Sequence, residues 1–282
     1  MPLRGRLAPT PTGYLHVGHA RTFAAAAARA GNAGLVLRIE DLDAPRCRPE
    51  FTAAAVADLR WLELDWTEGP DVGGPHAPYE QSRRADWYLE VWRRLEAAGA
   101  IYPSPHSRRD VEEAATAPHA TAAEPLFPPA LRPAQRERAA APGGVPWRFR
   151  VPDGRTLEFH DALQGTVRRT AGVDFGDFVV WRRDDLAAYE LAVVADDHAM
   201  AIAEVVRGAD LLTSTARQLL LFEALGWQPP AFCHTTLVCD AAGRRLAKRS
   251  GGLAIRDLRA AGWSPAAVLH QPIAALAEPP HA

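Results

Sequence analysis

Cysteine, methionine and lysine are scarce in this 282-residue chain, and long apolar runs are missing. The three cysteines, Cys47, Cys233 and Cys239, are odd in number and lack CxxC spacing. That argues against a disulfide framework and for reduced thiols in a cytosol. No apolar run approaches the length needed to span a bilayer, so no membrane partner is expected. The N-terminus leads straight into the first motif with no room for a signal peptide, and a cytoplasmic protein is expected. A net charge of −2 argues against a broad nucleic-acid-binding surface. Any RNA contact must use a local basic patch rather than the field of the whole molecule. Internal repeats are also absent. The low lysine and methionine, beside much Ala, Arg and Pro, suggest a high-GC genome and carry no functional conclusion. With 48% apolar and 23% charged residues, the composition is that of a soluble globular protein. Its length allows one large domain or two modest ones.

What is present begins at once, with Arg6-Leu7-Ala8-Pro9-Thr10-Pro11-Thr12-Gly13-Tyr14-Leu15-His16-Val17-Gly18-His19 running into an alanine-rich helix, Ala20 to Ala30. A basic residue, a proline-stiffened turn and two histidines around a glycine suit phosphate handling. Histidines at i and i+3 share one face of a first helical turn. The unpaired N–H groups and dipole of the helix start favour an anion. Gly18 removes a side chain where a flat base or a phosphate must approach. Taken alone, HxGH is as well explained by a Pro/Gly turn with two incidental histidines.

Further along, Leu35 to Ile39 is an apolar run with one arginine, ending in acids, and reads as a buried parallel strand. Phe51 to Leu64 and Ser82 to Ala98 read as helices. In the second, Tyr88, Val91, Trp92 and Leu95 keep helical spacing and Gly99 is the expected stop. This order implies a doubly wound α/β sheet with ligands at the carboxyl ends of its strands. The pattern then breaks into a proline-rich stretch between Pro103 and Pro146. Trp147 to Val151, a Pro152-Asp153-Gly154 turn and Leu157 to Phe159 alternate with period two and read as a hairpin. Phe178 to Trp181 and Tyr189 to Ala195 are expected as strands returning to the main sheet. Ser214 to Leu225 is expected as a helix capped by Ser214 and stopped by Gly226.

The opening stretch resembles the HIGH signature of class I aminoacyl-tRNA synthetases, and specifically the RFAPSPTGxLHIGxxR string of the glutamyl branch. Leu37-Arg38-Ile39-Glu40-Asp41-Leu42-Asp43 is similar to that family's RIEDTD block. Tyr189 to His198, followed by Val206-Arg207-Gly208-Ala209-Asp210-Leu211, is similar to its YxLAxVVDDH and VIRGxD blocks. Leu246-Ala247-Lys248-Arg249-Ser250 stands where the KMSKS-type loop belongs. The blocks occur in family order from residue 6 to about 250. The resemblance implies a class I synthetase Rossmann-like doubly wound parallel sheet, split by a smaller insertion.

The implied activity is activation of glutamate by ATP, with Mg2+ accompanying ATP as the substrate complex. Charge builds on the phosphates, so catalysis is mostly positioning and electrostatic stabilisation. The resemblance puts His16, His19 and Lys248 in catalysis, and His16, Gly18, His19 and Lys248 at ATP. Gly243, Gly251 and Gly252 around Lys248 fit a loop that closes over ATP. Ala247 replaces the residue that in the family is usually Ser, losing a hydroxyl donor. Arg6, Thr10, Glu40, Tyr189 and Arg207 match the family's glutamate pocket. Arg6 and Arg207 are forks suited to carboxylates, Glu40 suits the ammonium, and Tyr189 adds a hydroxyl donor. Such a pocket rejects glutamine strongly. Asp41 and Asp43 are better explained as caps of the next helix. Asp196 and Asp197 are better explained as caps of a helix after the Ala195 strand.

Only a short tail follows Lys248, with no room for the anticodon-reading region of full glutamyl enzymes. The chain therefore looks like the free-standing glutamyl-queuosine tRNA(Asp) synthetases. Those activate glutamate without tRNA and esterify it to the queuosine base at the wobble position of tRNA(Asp), a base splayed from its loop. A minimal glutamyl-tRNA synthetase charging a 3′ end and a catalytically silent tRNA-binding paralogue are the alternatives. Many relatives carry zinc in the insertion, beginning with CxC after a Tyr-Pro-like pair. Here Tyr102-Pro103 precedes Ser104, Pro105 and His106, and zinc is not expected, two lone histidines (His106 and His119) being a weak site. Arg108, Arg109, Arg132, Arg136 and Arg138 are candidates for the local RNA patch, though simple solvation explains each one better. The expected layout is a first catalytic half at 1–100, an insertion at 101–175, a second half with the KMSKS-like loop at 176–252 and a helical tail at 253–282, in a monomer.

Overall fold

Gly5–Leu7 (β1) and Leu35–Leu37 (β2) are fully buried strands paired in parallel, with Arg6 opposite Val36. Val17–Ala30 (α1) makes the crossover that a parallel pair requires. Pro49–Trp61 (α2) follows, its proline in the first turn where no N–H is needed. Ala85–Ala98 (α3) buries Tyr88, Val91, Trp92 and Leu95, and Gly99 ends it at φ +71°. Next come the short strands Ile101–Pro103 (β3) and Trp147–Phe149 (β4), then Thr156–Asp161 (β5) and Gly165–Thr170 (β6). Phe178–Trp181 (β7), Tyr189–Ala199 (α4), Glu204–Gly208 (β8) and Leu212–Leu225 (α5) precede Ala231–Thr235 (β9). Ile255–Ala260 (α6) and Pro265–His270 (α7) complete the computed structural model, which describes residues 3–106, 110–111, 126–134, 138–238 and 253–277.

Two units form. The first holds Met1–Arg84, Ala199–Leu211 and Pro230–Ala282. In it β8 and β9 pair in parallel, Arg207 opposite His234. The N–H groups of Ala203 and Glu204 donate to the Arg4 carbonyl at 2.8 and 3.2 Å, starting β8 beside β1. Leu7, Leu37 and Val206 from the strands, with Ile39 just after β2, meet Val17, Ala20, Phe23 and Ala26 of α1 in one core. Each fully buried large apolar side chain contributes about 1.5–3 kcal/mol. The alanines let α1 lie close: a Cβ on Gly5 would sit 3.4 Å from Ala30 and 3.2 Å from Leu35. The parallel pairs and the crossover helix are the α/β, Rossmann-like architecture the sequence predicts.

The second unit holds Ala85–His198 and Leu212–Pro229. β3, β4 and β7 form an antiparallel sheet, and Trp92 of α3 meets Trp147 edge-on at 4.8 Å. The expected hairpin is corrected here. Trp147–Phe149 alternates as predicted but pairs with β3 and β7, and the hairpin is β5 with β6. Its turn is made by Asp161, whose carboxylate accepts the Leu163 and Gln164 N–H groups at 3.0 and 2.9 Å. Tyr189 to Ala195 is not a strand but the start of α4, with Glu190 to Asp197 buried without interruption. A helix buried all round shows no period and mimics a buried strand. Asp196 and Asp197 consequently lie inside α4 rather than capping a later helix, and Asp196 accepts the Tyr88 hydroxyl at 2.8 Å. Ser214 falls within the first turn of α5 instead of capping it, while Gly226 stops that helix at φ +67°.

Candidate active site

His16 is the N-cap of α1 and His19 its third residue, joined in a capping box. The Gly18 N–H donates to His16 Nδ1 at 3.1 Å, and the His16 N–H donates to His19 Nδ1 at 3.2 Å. Two backbone donations to Nδ1 fix both neutral imidazoles as Nε2–H donors. The rings lie 3.8 Å apart at 34°. Gly18 has a more local role than expected. A Cβ there would meet the His16 ring at 2.9 Å, so the glycine makes space for the histidine itself.

The helix start is braced from two directions. Thr22 of α1 shares a hydrogen bond with Thr235 of β9 at 3.1 Å, and Thr235 donates to the Arg207 carbonyl at 3.3 Å. Leu253 and Ile255 flank a bridge of Ala254 with His16, with Val17 N–H on the Leu253 carbonyl and Ile255 N–H on the Leu15 carbonyl. Val238 lies 3.7 Å from where a Gly18 Cβ would be. Val238 and Leu253, the described residues on either side of 239–252, both lie beside this helix start. Lys248, the only lysine of the chain, lies in 239–252 and outside the described residues, as do Ala247, Gly243, Gly251 and Gly252.

Arg6 and Arg207 are both 4% exposed, in β1 and β8. Arg6 Nη1 donates to the carbonyl of Val206 at 2.8 Å, next in chain to Arg207. Glu40 follows β2, its N–H on the Pro9 carbonyl at 3.0 Å, beside the exposed turn residue Thr10. Arg6, Thr10, Glu40, Arg207, His16, Gly18 and His19 all belong to the first unit, whereas Tyr189 opens α4 in the second and is 39% exposed. Two neighbours were not singled out from sequence. Arg38, fully buried, donates to Glu40 at 3.0 Å. His234, also fully buried, accepts from Arg207 Nε at 3.1 Å. The lone arginine inside an apolar run was a signal for the first; the second depends on cross-strand register.

Asp41 and Asp43 do not cap α2, whose N-cap is Arg48. Asp41 accepts the Ser82 N–H and hydroxyl at 2.8 and 2.6 Å, holding the turn before α3, and Asp43 pairs with Arg46. In the insertion, Ser104 is buried with its hydroxyl unpartnered, and His106 lies beside Phe127. A neutral serine hydroxyl is no substitute for a thiolate, and the described residues do not fit a zinc ion. Among them no group of three His, Cys, Asp or Glu stands ready for a metal. Arg132 is held by Asp177 and Asp153. Arg138 is exposed, and Arg108, Arg109, Arg136 and His119 lie outside the described residues. Also among the described residues, no helix is long and apolar enough to cross a membrane.

Residues 2–274 match the family described as tRNA synthetases class I (E and Q), catalytic domain. The chain is 48% identical over 274 residues to a glutamyl-Q tRNA(Asp) synthetase of Symbiobacterium thermophilum, covering 95% of this chain and 84% of that protein. It is 42% identical to glutamate–tRNA ligase 2 of Syntrophus aciditrophicus, over 95% of this chain and 56% of that one. A crystal structure of a glutamate tRNA ligase from Elizabethkingia meningosepticum, in complex with its amino acid, superposes with a TM-score of 0.77 at 29% identity. That match covers 89% of this chain and 53% of the other. The chain belongs to the catalytic-domain family of the class I glutamyl- and glutaminyl-type tRNA synthetases. It is a ligase of that class.

Proposed function

We propose that this chain activates glutamate with ATP, without tRNA, and transfers it to the queuosine base at the wobble position of tRNA(Asp). The observation that carries the activation step is the pair of buried guanidiniums, Arg6 of β1 and Arg207 near the carboxyl end of β8, brought together where Arg6 donates to the Val206 carbonyl. Open α/β sheets bind ligands at the carboxyl ends of their strands. Arginine forks suit the two carboxylates of glutamate and Glu40 suits its ammonium, with Thr10 at the rim. Glutamine would leave a buried cation unmatched.

A carboxylate oxygen of glutamate attacks the α-phosphorus of ATP, the bond to the bridging oxygen breaks, and pyrophosphate leaves with Mg2+. The Nε2–H groups of His16 and His19, at a helix start that already favours anions, stabilise charge on the phosphates. Lys248 serves the leaving pyrophosphate. A hydroxyl of queuosine then attacks the acyl carbon and AMP leaves. The acceptor assignment is supported by the higher identity to the glutamyl-Q tRNA(Asp) synthetase than to the glutamate–tRNA ligase. The latter relative favours a second reading, charging of a tRNA 3′ end.

Labelled glutamate offered with ATP to queuosine-containing tRNA(Asp), the same tRNA without queuosine, and tRNA(Glu) separates the two. Label on the first RNA alone is expected. Label on tRNA(Glu) instead selects the second reading, and no label together with no glutamate-dependent pyrophosphate exchange overturns both.

A further inference from the structure

His234 is completely buried in β9, directly across from Arg207 of β8. Arg207 Nε lies 3.1 Å from His234 Nε2. A guanidinium has no acceptor, so the arginine donates and Nε2 holds a lone pair, which puts the imidazole proton on Nδ1. Two residues earlier in the same strand, Phe232 stacks on the His234 ring at 6.2 Å and 20°. The same phenyl ring lies 5.7 Å from the Arg207 guanidinium carbon. One strand therefore supplies both an in-plane acceptor and an aromatic neighbour to one guanidinium.

We propose that His234 is a positioning residue that sets the plane of the Arg207 fork for the substrate carboxylate. This rests on the reading that Arg207 binds that carboxylate. Bidentate recognition depends on the orientation of the guanidinium plane as well as its charge. An Nε–H held by a fixed acceptor removes rotation about the last bonds of the side chain, leaving the terminal nitrogens aligned. A carboxylate at this place would hold the plane equally well while drawing the positive charge to itself. A neutral imidazole holds the plane and leaves the charge to act on the ligand.

The test is glutamate-dependent ATP–pyrophosphate exchange by the full chain with His234→Leu and His234→Gln, beside Arg207→Ala. His234→Leu is expected to raise KM for glutamate about tenfold to a hundredfold with KM for ATP unchanged, the scale of a misplaced binding group. His234→Gln, whose amide oxygen can accept from Nε, is expected to recover most of that loss. His234→Asn, with a shorter reach, is the loss variant to use should His234→Leu not fold. A wild-type KM for glutamate in the loss variant overturns the proposal. So does an equal rise in both KM values that His234→Gln does not relieve, since that marks packing alone. If Arg207→Ala itself activates glutamate normally, the pocket reading fails; if Arg207→Ala is inactive and the His234 variants behave as wild type, only the positioning role fails.

Discussion

Arg132 of the second unit and the Arg6 and Arg207 pair of the first are held in opposite ways. In the second unit Arg132 donates through Nε and Nη2 to Asp177, at 2.7 Å each, and also to Asp153. Asp177 further accepts the Tyr102 hydroxyl at 2.5 Å and the Val151 N–H at 2.8 Å. One buried carboxylate thus ties the start of the insertion, its 126–134 segment and the chain after β4 together. In the first unit Arg6 donates to a backbone carbonyl and Arg207 to an imidazole. Carboxylates neutralise the cation they hold, whereas a carbonyl or a neutral imidazole orients a guanidinium and brings no charge of its own. The nature of the acceptor, more than the depth of burial, separates an arginine that builds from one suited to bind.

Removing the carboxylate from the structural pair is expected to have the largest effect on stability. Asp177→Asn leaves Arg132 without half of its charge partners in a buried place and should cost about 3–5 kcal/mol in urea or thermal unfolding. The KM for glutamate of the folded enzyme should not change. An unaltered unfolding midpoint would break the comparison.

Asp58 of α2 sharpens it as an intermediate case. It is fully buried, neither carboxylate oxygen has a hydrogen-bond partner among the described residues, and Arg259 of α6 stands 3.7 Å away. Burial pushes its carboxyl up to about 6, against the pull of Arg259 and Arg256. A folded-state value above the ordinary 3.8 means that the charged form destabilises the fold. Stability from this group therefore rises as pH falls from about 6 towards 4. Asp58→Asn should raise the unfolding midpoint at about pH 8 and have little effect at about pH 4. Equal midpoints at the higher pH would contradict that sign. Glu68 has the opposite sign: burial raises its carboxyl, but hydrogen bonds from His76, Tyr79 and Arg4 outweigh it and hold it at about 2. Its contribution is present above 4.5 and is lost as pH falls towards 2.

Local chemistry was legible in the sequence; partners distant in the chain were not. α1, α3 and β2 announce themselves through a polar cap, helical spacing of Tyr88, Val91, Trp92 and Leu95, and an apolar run. α4 did not, because burial of every residue from Glu190 to Asp197 erases the amphipathic signal. Trp147–Phe149 shows its strand character, while its pairing with β3 and β7 is non-local and no turn signal encodes it. The histidines of the candidate site stood out by type and spacing, and Arg6 and Arg207 through the resemblance to the glutamyl family. Their supports, Arg38 under Glu40 and His234 against Arg207, emerge only when strands are laid side by side.

The most direct test sets Arg207→Ala beside Arg132→Met in glutamate-dependent ATP–pyrophosphate exchange, with ATP binding and unfolding measured on both. Arg207→Ala should fold, bind ATP and give no glutamate-dependent exchange, whereas Arg132→Met should lose stability and keep its KM for glutamate. Exchange at the wild-type rate in Arg207→Ala would contradict the assignment of the buried arginine to the substrate.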